Sequence, residues 1–99
     1  MINGSQAQAR IMFFSQSEGG RRTPAISGIK PQLKVGDIFT SCFVWGESTD
    51  QIFVPGVEYL VDLQLPFWEE YSDRFTVGMH VQLREGSRII ATGSISAIL

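Results

Sequence analysis

Four segments of this chain place apolar side chains at every second position, and glycine- and proline-rich turns separate them. That pattern fits strands with one buried face and leaves little room for helix. Ile38–Trp45 sets Ile38, Thr40, Cys42 and Val44 against Phe39, Ser41, Phe43 and Trp45. Val57–Leu65 sets Val57, Tyr59, Val61, Leu63 and Leu65 against Glu58, Asp62 and Gln64. Phe75–Leu83 turns Phe75, Val77, Met79, Val81 and Leu83 one way and Thr76, Gly78, His80 and Gln82 the other. Ile89–Ile98 alternates as well, and its small residues suit a crowded, strongly curved wall. Ala9–Phe14 is a shorter apolar strand, Gln32–Val35 a brief one, and residues 1–8 are expected to fray. Five or six such strands in 99 residues predict one all-β domain over residues 9–99, an antiparallel barrel or sandwich after a flexible 1–8.

The segments between strands are more specific than linkers. Glu18–Gln32 joins Gly19-Gly20, Arg21-Arg22, a Thr-Pro step, Gly28 and Pro31. Glycine supplies left-handed backbone, and the prolines fix φ and remove donors, so this is a structured loop. Gly46–Gln51 and Pro55-Gly56 are turns. Pro66–Arg74 interrupts the strand pattern with Phe67-Trp68-Glu69-Glu70-Tyr71, three aromatics beside two acids. These rings either anchor a protein partner or fold back over the end of the sheet. Arg84–Arg88 is a tight hairpin in which Gly86 takes the left-handed turn position.

Charge divides along the chain. Residues 1–36 carry five basic side chains against one acid, residues 37–73 carry eight acids and no base, and residues 74–99 carry three arginines against one acid. The sum is the net charge of −2. A fold that joins the two ends would therefore have a basic side and an acidic side. The single cysteine, Cys42, rules out an internal disulfide and suits a reducing compartment. No basic-then-apolar leader and no membrane-length apolar run is read, so a cytoplasmic location is expected. His80 falls on the polar face of its strand and Cys42 reads as a small packing residue. With one of each, neither a zinc site nor a Cys/His dyad is expected. No catalytic residue, metal or cofactor is assigned. Glu69 and Glu70 lack a neighbour that would shift a carboxyl group for acid–base work.

Four ordered motifs carry a family resemblance. Ser15–Pro24 resembles the Glu-Gly-Gly-Arg-His-Thr-Pro loop of the C-terminal domain of elongation factor Tu. Gly28-Ile29-Lys30-Pro31-Gln32 is similar to its Gly-Tyr-Arg-Pro-Gln step, Pro55-Gly56 to its Pro-Gly turn, and Arg84–Arg88 with Ile89–Gly93 to its Arg-Glu-Gly-Gly-Arg hairpin and last strand. The likeness runs from about Ala9 to Leu99. It implies a six-stranded antiparallel barrel, which in the intact factor meets the GTP-binding domain, the T stem of aminoacyl-tRNA and the exchange factor. It places Gly19, Gly20 and Arg21 at the border with the GTP-binding domain, and Gln32, Glu85 and Gly86 where tRNA is reached. Lys30, Arg84 and Arg88 stand beside them to attract phosphate.

The departures are Arg22 in place of the histidine, Ser87 in place of the second hairpin glycine, an altered Gly46–Gln51 and a longer interval after Pro66. This sequence holds no counterpart of the GTP-binding or middle domains, so GTPase activity does not carry over. The expected function is a non-enzymatic binding module that meets a protein partner through Gly19, Gly20, Arg21, Arg22, Gln82, Phe67, Trp68, Glu69, Glu70 and Tyr71. The alternative is weak tRNA or other RNA binding through Lys30, Gln32, Arg84, Glu85, Gly86 and Arg88. A homodimer through surface left uncovered is a further expected partner, and no membrane partner is expected.

Overall fold

Alternation becomes ladder in the computed structural model, which describes residues 4–99. The strands are β1 (Ala7–Phe13), β2 (Ala25–Ile26), β3 (Gln32–Val35), β4 (Ile38–Ser41), β5 (Phe43–Trp45), β6 (Ile52–Phe53), β7 (Glu58–Gln64), β8 (His80–Glu85) and β9 (Arg88–Ile98). A one-turn helix, α1 (Trp68–Tyr71), lies between β7 and β8. Seven strands form one curled antiparallel sheet in the order β4-β3-β8-β9-β1-β7-β5, and β2 pairs with β6 apart from it. The chain is thus all-β with one short helix.

The curl shows in the two ends of that order. β4 and β5 are separated only by Cys42, yet they occupy opposite ends of the sheet. Beside this bent segment, the Gly28 N–H donates to the Val44 carbonyl at 2.7 Å and the Val44 N–H to the Ile29 carbonyl at 3.0 Å. The Cys42 N–H donates to the Pro31 carbonyl at 3.2 Å. Inside the curl lies one core, in which Ile11, Leu33, Val35, Cys42, Val44, Phe53, Leu63, Leu83 and Ile90 are fully buried. Gly93 allows the sheet to pack this tightly, since a Cβ there would run into the Arg10 carbonyl of β1.

Three expectations need correction. The part of residues 1–8 that is described is ordered into the sheet, while residues 1–3 lie outside the described residues. Ala7 is fully buried in β1, the Gln6 N–H donates to the Leu63 carbonyl at 3.0 Å, and the Gln6 amide oxygen accepts from the Leu65 N–H at 2.8 Å. Ala7 continues the buried face of Ala9 and Ile11, a signal too weak in bulk to extend the predicted strand. The strand predicted over Phe75–Leu83 begins only at His80. Gly78 adopts φ +92° and bonds sideways to the Ile95 carbonyl, so Phe75 is buried while Val77 is 58% exposed. In β9 the alternation read over Ile89–Ile98 breaks at its start, because the register with β8 slips between Leu83 and Arg84. That bulge turns Ile90 fully inward, where strict alternation faces Ile89 in. A smaller difference affects Val57, which is exposed just outside β7.

Candidate functional site

The glycine-arginine loop is built on a 3-10 turn. Ser15 ends the extended chain after β1, and Gln16–Glu18 turn back over it. The Glu18 carboxylate accepts from both the Ser15 N–H and the Ser15 hydroxyl, each at 2.9 Å. Those two bonds, the backbone one first, hold the Glu18 carboxyl below its ordinary range. Gly19 then takes φ +94°, and the Gly20 N–H returns to the Ser15 carbonyl at 2.8 Å. Gly20 is buried, and a Cβ there would collide with the Phe14 carbonyl. Only glycine fits.

This loop meets the Arg84–Arg88 hairpin. The hairpin turns through Gly86-Ser87, with Gly86 at φ +61° in the first central position, as a type II′ turn requires. Arg21 Nε lies 3.4 Å from Glu85 Oε1, and Arg88 Nη1 donates to the Gly20 carbonyl at 3.4 Å. The structure therefore joins Gly20 and Arg21, read as protein-facing, with Glu85 and Arg88, read as RNA-facing, into one surface. Arg21 is half-buried, and its Nη1 is enclosed without a hydrogen-bond partner. Arg22 is exposed. Both arginines rim a cavity of about 120 Å³ whose floor includes Phe13, Phe53 and Pro55. Beside it, Ile26 and Ile52 pair across β2 and β6 with both side chains exposed, and Val54 follows in the chain.

The acidic aromatic segment divides. Trp68 packs against the core and meets Phe75 edge-on at 5.1 Å between ring centres, and Tyr71 packs against the core as well. Both fold back over the end of the sheet rather than standing out as anchors. Phe67, at 53% exposure, stays in solvent with Glu69 and Glu70. The other candidates are scattered. Gln32 pairs in register with Arg84, whose guanidinium lies 5.4 Å over the Phe39 ring and donates to the Ser87 carbonyl. Lys30 lies 5.4 Å over Phe43, which stacks on Trp45. Gln82 is half-buried opposite Lys34 on β3, away from both loops.

Cys42 is buried, and desolvation pushes its thiol from an ordinary 9.0 up to about 12. His80 is exposed at the start of β8. Among the described residues no group of three or more histidine, cysteine or carboxylate side chains could hold a metal ion, and no helix is long and apolar enough to cross a membrane. No protein-family model matches the chain. Sequence reasoning missed Ser15 and the Ile26–Ile52 pair. The Ser15-x-x-Glu18 spacing is a capping-box signature and signalled the first, whereas two-residue strands carry no readable period.

Proposed function

We propose that this chain is a non-enzymatic protein-binding module, built on a six-stranded antiparallel barrel resembling the third domain of elongation factor Tu. The main-chain bonds that Gly28, Ile29 and Pro31 exchange with Cys42 and Val44 support closure, because they lie where the two ends of the strand order approach. Arg21 carries the functional reading. Its Nε is held by Glu85 at the rim of a cavity with an apolar floor, and Arg22 stands exposed on the same rim. An oriented arginine beside an exposed one at the mouth of an apolar recess suits a partner that supplies an oxygen acceptor next to an apolar side chain. The Ile26, Ile52 and Val54 surface alongside supplies apolar area for that contact.

The test is affinity capture from lysate with the unaltered chain, with Arg21→Ala and with Ile52→Ser, quantified by mass spectrometry. A partner retained by the unaltered chain and lost with both substitutions is expected. Retention unaffected by either refutes the assigned surface. Gel shifts with tRNA at low and moderate salt address the RNA alternative. A band that weakens steeply with salt and with Arg84→Ala would replace the protein reading.

A further inference from the structure

A second surface lies away from the loop pair, where α1 runs past β4. In the strand order β4 has a single neighbour, β3. The phase of that ladder follows from the Cys42 N–H bond to Pro31 and the Val44 N–H bond to Ile29. Bonding groups alternate sides along an antiparallel strand, so Ile38 and Thr40 address β3 while the main chains of Phe39 and Ser41 point away from it. Further along the bent segment that same outer side is taken up, as Phe43 and Trp45 pair with Gln64 and Asp62 of β7. β7 ends at Gln64, and Pro66 diverts the chain into α1. The edge therefore continues past its partner, and among the described residues no hydrogen bond reaches the Phe39 or Ser41 main chain from that side.

Folded proteins usually cover or charge such an edge. Here α1 stands off and leaves a cleft of about 330 Å³, lined by Gln32, Phe39, Ser41, Phe67, Glu70 and Tyr71. A neighbouring cleft of about 390 Å³ shares Phe67 and Glu70 and adds Glu69. Both carboxylates are exposed on the α1 wall. Beyond Phe39, Arg84 is engaged by the Phe39 ring and the Ser87 carbonyl, and Arg74 nearby in sequence is paired with Asp37. The α1 side of the cleft is thus acidic, its lip is aromatic, and its floor is unpaired strand.

We propose that β4 accepts an added strand: a basic, extended peptide segment bonds through its main chain to Phe39 and Ser41 and sets a lysine or arginine against Glu70. Alternate side chains of an extended segment point the same way, so a Lys-x-Lys spacing brings successive cations along the Glu70 and Glu69 wall. The contact is separate from the Arg21 surface, and Arg21→Ala leaves it unchanged.

The probes are a fluorescein-labelled peptide of four Lys-Val repeats, its Glu-Val counterpart, and the Lys-Val peptide N-methylated at alternate residues. Binding is followed by anisotropy, and amide exchange by NMR. The Lys-Val peptide should slow exchange at Phe39 and Ser41 by on the order of tenfold at saturation. The N-methylated peptide should lose both binding and protection. Glu70→Lys should weaken the Lys-Val peptide by roughly tenfold and favour Glu-Val instead. Ser41→Pro, tolerated at an outward-facing edge N–H, should block pairing while the rest of the sheet stays protected. Several outcomes overturn the proposal: no Lys-Val binding, binding without slowed exchange at Phe39 and Ser41, or equal binding of the N-methylated peptide. Protection that rises with protein concentration without peptide also does so, and assigns the edge to a second copy.

Discussion

Raising the pH should destabilise this protein through one side chain. Cys42 sits at the bend between β4 and β5, fully buried, with its thiol pushed from 9.0 to about 12. In the unfolded chain the thiol ionises at its ordinary value, whereas the fold holds it neutral. The stability tied to the neutral thiol is therefore fully present below pH 9.0 and is lost as pH rises towards about 12. At about 1.4 kcal/mol per unit, the loss is about 2 kcal/mol near pH 10.5 and about 4 kcal/mol once the folded-state value is reached. Urea unfolding at pH 7.5, 9 and 10.5, compared with Cys42→Ala, isolates this term because other titrating groups cancel in the difference. A small pH-independent offset from the lost sulfur is expected in the variant, and the slope above pH 9 should be missing. Native-state labelling with an aromatic disulfide at pH 8 should be slow and should follow opening of the sheet. Parallel pH profiles for the two proteins, or labelling at the rate of a free thiol with the sheet intact, would refute the reasoning.

Other expectations follow from single contacts. Phe53→Ala removes a fully buried ring stacked on Phe13 at 5.0 Å and met edge-on by Tyr59 at 5.2 Å, and should cost about 3–5 kcal/mol in urea unfolding. A loss below about 1 kcal/mol would mean that the core there is loosely packed. Gly20→Ala should cost about 1–3 kcal/mol, since the Phe14 carbonyl blocks the new methyl, and should shift the amide resonances of Phe14 and Ser15. A methyl absorbed without either effect contradicts the close approach. In a carbon-detected NMR titration Glu18 should ionise below its ordinary 4.5, and Ser15→Ala should bring it back up. Its contribution to stability is present above the unfolded value and fades as pH falls through the depressed one; an unmoved titration in Ser15→Ala would sink this account.

Period-2 alternation was legible wherever a strand ran long with bulky residues. Val61, Leu63, Val81 and Leu83 lie buried as that pattern requires, and the Arg84–Arg88 turn is where Gly86 announced it. Legibility failed where a residue outside the strand decided its phase. Gly78 bonds to Ile95 and cuts β8 short, and the slip at Leu83/Arg84 inverts the start of β9. Neither partner is visible in a local window. The same limit applied to the site. Arg21 and Glu85 were each noticed, but a contact between such distant residues is set by how the sheet curls, which their neighbours do not encode. The four residues of α1 are too few to show helical period, so Trp68 and Tyr71 read equally well as anchors or as packing.

The place of β1 in the strand order has a consequence for how the protein is made. β1 leaves the ribosome before the strands it pairs with, and it lies between β7 and β9, bonding to Glu58–Leu63 on one side and to Ala91–Ile98 on the other. During synthesis neither edge of β1 meets its partner strand until β7 has emerged, and β9 follows later still. Such late, non-local closure makes folding slow and leaves an unpaired hydrophobic strand in the nascent chain. β1 is accordingly where a holdase would act, and the stretch of synthesis between β1 and β9 is where translation speed would have its strongest effect on yield.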